Sequence, residues 1–182
     1  WGRAVPGADI SVKFAGQAKQ VRTDVEGHWA VKLDPLKAGG PFELEVGDGT
    51  KTLHFTDVLV GEVWFGSGQS NMEVAVKSLP QFTKSSAPFE CDEDTKQLLE
   101  NGVHPQIRIS AITRDHNKTP AWFELSRENY LDVPALMSCA AVLLRQKLNV
   151  PIGIVVRCES SSSSGIWLSR DTVEGDAEIQ RQ

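Results

Sequence analysis

Residues 57–73 read DVLVGEVWFGSGQSNME, in which an apolar run leads directly into a Gly-Gln-Ser-Asn turn. Such a run predicts a strand over residues 58–65 that is covered on both faces, and Gly66 and Gly68 let the backbone turn sharply after it. A serine at this place presents its hydroxyl above the sheet edge, where backbone N–H groups of the next helix stabilise an oxyanion. The pattern nominates Ser70 as a nucleophile. Since Gly, Ser and Asn are ordinary turn residues, a turn without chemistry is the alternative.

Short alternating runs separated by turn residues fill the first part of the chain. They cover residues 10–14, 19–23, 29–33, 42–46 and 51–55. Period-two alternation indicates strands with one face in a core, and strands at roughly ten-residue spacing are typical of a sandwich. The pattern predicts a small antiparallel β-sandwich over residues 1–56.

After residue 57 the pattern changes to strands that alternate with helical stretches, which is typical of an α/β layer with parallel strands. Helices are predicted over residues 92–101 and 134–148, the second with Pro134 in its first turn and Asn149 as its stop. Strands are predicted over residues 107–112 and 151–156. The run Ser160 to Ser164 follows the last strand, at the carboxyl end where open α/β sheets place their sites.

Residues 57–73 closely resemble the block around the nucleophile in the sialate O-acetylesterase family, a branch of the SGNH hydrolases. Residues 27–29, 36–42 and 135–154 extend the resemblance over most of the chain. It implies an α/β fold: a partial three-layer SGNH-hydrolase-like parallel sheet in residues 57–182, C-terminally incomplete, preceded by an Ig-like antiparallel β-sandwich in residues 1–56. In that family Ser70 would be the catalytic serine, with its own N–H as one oxyanion donor and with Gln69 and Asn71 shaping the turn.

The serine run departs from the family. Relatives continue from the last strand to a Trp-Gly-Gly-Thr segment whose glycine N–H helps to bind the oxyanion, and an ungapped count places residues 159–162 there. The resemblance thus makes Ser160 and Ser161 the candidates for the second oxyanion donor, although a position with φ > 0 would strain any residue except glycine. The same count matches Trp167 to a family tryptophan. A flexible polar loop is the alternative interpretation of the run.

The base is the second departure. The family's Asn donor and its Asp-x-x-His pair lie far downstream of the nucleophile, and we expect neither within these 182 residues. A serine without a base is a poor nucleophile at neutral pH. His28 and His54 belong to the predicted sandwich and His104 precedes a strand, whereas His116, in a loop after the second predicted strand, could approach the site.

Composition excludes several classes of protein. The net charge is −5 and the 19 Lys and Arg are scattered, which argues against binding to nucleic acid. No apolar run reaches the roughly 18 residues of a membrane span, no signal peptide is expected at residues 1–7, and neither a metal site nor a cofactor loop is indicated. The resemblance places the protein in an extracellular or periplasmic compartment. Of the three cysteines, Cys139 fits a core position, while a bridge between Cys91 and Cys158 stays open.

The sequence thus favours a serine esterase that removes O-acetyl groups from sialic acid or another glycan. Two alternatives stay open. The chain could be a non-catalytic piece that needs a C-terminal partner segment, which an exposed apolar sheet edge near residues 152–156 would support. It could also be a carbohydrate-binding module built on residues 1–56.

Overall fold

The computed structural model describes residues 1–79, 93–101, 103–111 and 121–176. The chain divides into two compact units, Trp1–Glu62 and Val63–Gln182. This division falls a few residues after the boundary predicted from sequence, because the last strand of the first unit runs on to Val60.

The first unit consists of strands in two sheets. Its strands are β1 (Gly2–Arg3), β2 (Asp9–Phe14), β3 (Gln17–Arg22), β4 (His28–Trp29), β5 (Gly39–Gly47) and β6 (Thr52–Val60). Strands β3, β2, β5 and β6 lie side by side in an antiparallel sheet, and β1 pairs with β4. Each of the five predicted strands overlaps one of β2 to β6, although β4 covers only His28–Trp29, and β1 was not predicted. The sandwich itself stays a prediction.

Alternation along β2 explains the core of this unit. Ile10, Val12 and Phe14 are buried, and Phe14 meets Phe42 edge to face with ring centroids 5.6 Å apart. A cavity of about 630 Å³ also lies in this unit, lined mainly by apolar side chains that include Ile10, Val12 and Trp29. Of its lining, Ile10 and Val12 are buried, whereas Trp1, Leu53 and Phe55 are exposed, so the cavity opens to solvent.

The prediction of a single strand over the apolar run at residues 58–65 is wrong, because the run divides between two sheets. Its first part completes β6, where Val58 pairs with Phe42 and Val60 with Gly39. Its second part belongs to β7 (Glu62–Gly68) in the second unit. The first half of the run pairs with β5 instead of forming a strand of the second unit. The predicted burial on both faces therefore does not explain why the run is apolar.

The second unit contains a mixed sheet with the order β7, β10, β8, β9. Its other strands are β8 (Val103–Ala111), β9 (Phe123–Ser126) and β10 (Ile152–Cys158). Strand β10 runs parallel to β8, as predicted, but β9 pairs antiparallel with β8 and was not predicted. The sheet is therefore not purely parallel.

Four helices accompany this sheet in the described residues: α1 (Ser70–Glu73), α2 (Glu93–Glu100), α3 (Ala135–Leu148) and α4 (Arg170–Gly175). Short 3-10 helices cover Val76–Ser78, Tyr130–Asp132 and Ser164–Trp167. The long predicted helix is confirmed as α3, and Asn149 ends it in the left-handed conformation, with its N–H donating to the Arg145 carbonyl.

Helix α3 covers the sheet through an apolar core. It packs on β8 and β10, and a Cβ added at Gly66 of β7 would lie 2.7 Å from the Met137 side chain. The core residues of this unit are Val76, Leu79, Ile107, Ile109, Leu125, Val133, Ala135, Ala141, Val142, Ile152, Ile154, Val156 and Cys158. Val63 and Phe65 of β7, in contrast, are 65% and 64% exposed, so the described residues do not show a layer over them. The third layer stays a prediction.

Candidate active site

The turn after β7 requires glycine at one position. Gly68 has a φ of +150°, and a Cβ added there would lie 2.8 Å from the Met72 side chain. Both the backbone conformation and the close approach exclude a larger residue. The chain then passes through Gln69, in extended conformation, into α1, whose first residue is Ser70. We call residues 68–73 the Ser70 turn.

Ser70 is exposed and its hydroxyl is not used to cap the helix. The spacing of Ser70 and Glu73 matches a capping box, which would place Ser70 at the N-cap. The N-cap is instead Gln69, without a side-chain capping bond. In the described part of the chain, Ser70 forms no hydrogen bond through its side chain. Met72 is the first residue of the turn whose N–H bonds back, to the Gln69 carbonyl at 3.0 Å, which leaves the N–H groups of Ser70 and Asn71 without a described acceptor.

The loop after β10 meets the Ser70 turn directly. We call residues 159–162 the serine loop. The N–H of Glu159 donates to the Gly68 carbonyl at 3.0 Å, and the Gln69 side-chain amide donates to the Ser162 carbonyl. The structure thus joins Gln69 and the loop that carries Ser160 and Ser161, more than eighty residues apart in sequence, at one end of the sheet.

Two N–H groups in the middle of the serine loop are available as donors. The N–H of Glu159 is used on Gly68, and the N–H of Ser162 donates to the Glu159 carbonyl at 3.2 Å. No described group accepts from the N–H of Ser160 or Ser161. These are the two residues that the resemblance nominates as oxyanion donors.

Ser161 adopts a conformation that favours glycine. Its φ is +63°, in the left-handed region. A residue with a Cβ is disfavoured there by about 1–2 kcal/mol. The strain expected where a serine stands at the position of a family glycine is therefore present in this loop.

Glu73 is a site residue that sequence reasoning missed. It ends α1, is half-buried, and accepts a hydrogen bond from the Ser160 hydroxyl. The signal was the capping-box spacing after Ser70, but that motif predicts a bond within the turn rather than one to a distant loop.

Trp167 lies beside the serine loop. Its indole N–H donates to the Ser162 hydroxyl at 3.2 Å, and its neighbours Ile166 and Leu168 are exposed. The indole is thus fixed next to the loop.

Neither of the described cysteines forms a disulfide. Cys158 is buried at the end of β10, and burial first, then the nearby Glu73 carboxylate, raises the pKa of its thiol. Cys139 is half-buried in α3. Cys91 lies outside the described residues, and Cys158 takes part in no disulfide.

None of the described histidines hydrogen-bonds to Ser70. His28 approaches Asp24 and Glu26 at 3.6 and 3.5 Å, and His54 approaches Glu45 at 3.6 Å, all in the first unit. His104 lies on β8 opposite Leu125. His116, the histidine nominated as a base, lies outside the described residues.

Neither a metal cluster nor a membrane helix is found in the described ranges. No group of three or more His, Cys, Asp or Glu side chains there could hold a metal ion. No helix there combines the length and the apolar character needed to cross a bilayer.

Comparison with known proteins finds relatives that are all named sialate O-acetylesterase. A sialate O-acetylesterase from Mus musculus is 27% identical over 96% of this chain and 34% of its own length, and one from Rattus norvegicus is 29% identical over 93% and 34%. One from Homo sapiens is 40% identical over 62% of this chain and 21% of its own length. The chain thus spans about a third or less of the curated relatives it matches. No protein-family model matches it.

A solved structure agrees with these relatives. The crystal structure of a carbohydrate acetylesterase from Xanthomonas citri superposes with a TM-score of 0.82 and 28% identity, over 100% of this chain and 40% of the other. Sequence and fold therefore agree over nearly the whole chain, and both support its similarity to the sialate O-acetylesterase family.

Proposed function

We propose that the protein is a serine esterase that removes O-acetyl groups from sialic acid or another acetylated glycan, with Ser70 as the nucleophile. The observation that carries the proposal is the junction of the Ser70 turn with the serine loop. It brings an exposed serine hydroxyl without a hydrogen-bond partner in the described residues to the same end of the sheet as unpaired N–H groups. The names of the relatives supply the substrate class, an acetylated carbohydrate.

The geometry supports an acyl-transfer mechanism in two steps. The Ser70 oxygen attacks the acetyl carbonyl carbon while a base removes the hydroxyl proton, and the C–O bond to the sugar then breaks with that proton passing to the sugar oxygen. Water releases acetate from the acetyl-enzyme by the reverse sequence. The N–H of Ser70 and that of Ser160 or Ser161 would stabilise the oxyanion, and removal of one such donor typically costs about 10²- to 10³-fold in rate.

The general base is the part that the described residues do not supply, since none of their histidines hydrogen-bonds to Ser70. We take the base to be a histidine outside them, either His116 or the histidine of a downstream Asp-x-x-His pair. Replacement of His116 by alanine in the full-length protein separates the two. Unchanged acetate release assigns the base to the downstream pair.

The experiment is labelling of the full-length protein with a fluorophosphonate probe, alongside acetate release from an O-acetylated sialic acid. Ser70→Ala should abolish labelling and lower acetate release by about 10³- to 10⁶-fold. Ser78→Ala, in a short 3-10 helix, is the matched control and should react as the wild type does. If Ser70→Ala keeps its esterase rate, the proposal fails.

A non-catalytic module that needs a C-terminal partner is the second candidate. Residues 152–156 do not form the exposed apolar edge that this candidate predicts, because β10 is an interior strand with Ile152, Ile154 and Val156 buried. Exposed apolar side chains occur instead on the edge strand β7, at Val63 and Phe65, and these favour this candidate. A well-folded full-length protein that binds acetylated glycans but neither labels nor releases acetate would support it over the esterase.

A further inference from the structure

We propose that Glu73 is a positioning residue, which holds the serine loop in the conformation that presents the N–H groups of Ser160 and Ser161 to the oxyanion. The inference rests on the proposed esterase function. Its basis is the hydrogen bond from the Ser160 hydroxyl to the Glu73 carboxylate.

Three of the described hydrogen bonds join the serine loop to the Ser70 turn, and two of them flank the free donors on either side. Glu159 is fixed through its N–H on Gly68, and Ser162 through its carbonyl, which accepts from the Gln69 side chain. The bond from Ser160 to Glu73 lies between these two. The donor positions are therefore held at residue 160 itself as well as on either side.

The loop needs such restraint because its conformation is unfavourable without it. Ser161 has a φ of +63°, which a non-glycine residue keeps only when its surroundings enforce it. The bond to Glu73 involves a carboxylate acceptor, and hydrogen bonds to charged groups are stronger than those between neutral groups. Of the three contacts, it is the one suited to restrain the residue that directly precedes Ser161.

The position of Glu73 also couples the two halves of the oxyanion site. It lies three residues after Ser70 in the four-residue helix α1, so one short segment carries both the nucleophile and the acceptor for the opposite loop. Any movement of the Ser70 turn is then shared with the serine loop. The distance between the two sets of N–H donors is thereby kept constant, which is what stabilisation of a developing charge requires.

The test compares Glu73→Ala, Ser160→Ala and Glu73→Gln in the full-length protein, with Ser70→Ala as the reference for lost chemistry. Ser160→Ala removes the donor hydroxyl and keeps the N–H, while Glu73→Gln keeps an acceptor oxygen without the charge. Glu128→Ala, which removes an exposed carboxylate elsewhere, is the matched control and should leave the rate unchanged. Thermal unfolding of each variant checks that it is folded.

We expect Glu73→Ala and Ser160→Ala each to lower kcat by about 10- to 100-fold with KM within about twofold, because the donors act on charge that exists only in the transition state. The double variant should be no slower than the slower single variant, since both remove one bond. Glu73→Gln should retain kcat within about fivefold. If Glu73→Ala does not fold, Ser160→Ala carries the test alone.

Several outcomes would overturn the inference. They are an unchanged kcat in Ser160→Ala, an increase in KM at constant kcat, additive losses in the double variant, or a Glu73→Gln variant as slow as Glu73→Ala, which would mean that the charge itself acts. Each is distinct from failure of the proposed function, which is an active Ser70→Ala.

Discussion

The backbone N–H of Glu159 donates to the carbonyl oxygen of Gly68 over 3.0 Å, and this bond joins the end of β10 to the end of β7. Gly68 is the last residue of β7, and Glu159 directly follows the last residue of the neighbouring strand β10. The bond therefore extends the pairing of these strands into the site. It uses the N–H of Glu159, whereas the N–H groups of Ser160 and Ser161 have no described acceptor. The pairing of β7 with β10 therefore also places the serine loop next to the Ser70 turn.

Replacement of Gly68 by alanine should destabilise the protein by about 2–4 kcal/mol. A Cβ at this φ of +150° is strained, and it would lie 2.8 Å from the Met72 side chain. Urea unfolding of the variant measures the loss. Gly175→Ala is the matched control, since an added Cβ there meets open space at the end of α4, and it should stay within about 0.5 kcal/mol of the wild type. Equal stability of the two variants would contradict the account of the turn.

Replacement of Ser161 by glycine should raise the free energy of unfolding by about 0.5–1 kcal/mol. Glycine relieves the left-handed φ of +63°, and the gain is partly offset by its greater freedom in the unfolded chain. Ser163→Gly, at a φ of −75°, is the control and should be neutral or slightly destabilising. A loss of stability in Ser161→Gly would show that its conformation is not strained.

Asp48 should titrate well below an ordinary aspartate. The N–H of Lys51 first, then the hydroxyl and N–H of Thr50, hydrogen-bond to its carboxylate and lower its pKa from 3.8 to about 2. Because the pKa is lower in the folded state, this contribution to stability is present above about pH 4 and is lost as the pH falls towards 2. NMR titration of the carboxyl carbon measures it, and Thr50→Ala should bring the pKa part of the way back. A wild-type pKa near 3.8 would contradict the described hydrogen bonds.

The Cys158 thiol should react slowly with disulfide reagents in the native protein. Burial and then the Glu73 carboxylate raise its pKa, so the thiolate that reacts is scarce at pH 8. We expect a rate at least about tenfold below that of a small thiol, and a normal rate once urea unfolds the chain. Comparison with Cys158→Ser identifies the slow phase. A fast native reaction that disappears in Cys158→Ser would show that the thiol is accessible.

Local features of the site could be predicted from sequence because their causes are local. The turn at Gly68 and the placement of Ser70 directly after it follow from residues within one short segment, and α3 follows from its apolar periodicity and from Asn149. Contacts such as that between Glu73 and Ser160 could not, because the partners are 87 residues apart and meet only when β10 pairs beside β7. Periodicity reports which face of a segment is apolar, but it does not identify the segment that covers that face.

The sequence by itself determined the kind of segments in this protein and the serine on which its proposed chemistry rests, because turn glycines and apolar runs act on the residues beside them. The tertiary structure alone decided that the run at residues 58–65 divides between two sheets, that β9 joins antiparallel, and that the serine loop lies against the Ser70 turn. These arrangements depend on competition between strands for hydrogen-bond partners. That competition is settled only when distant parts of the chain pack together.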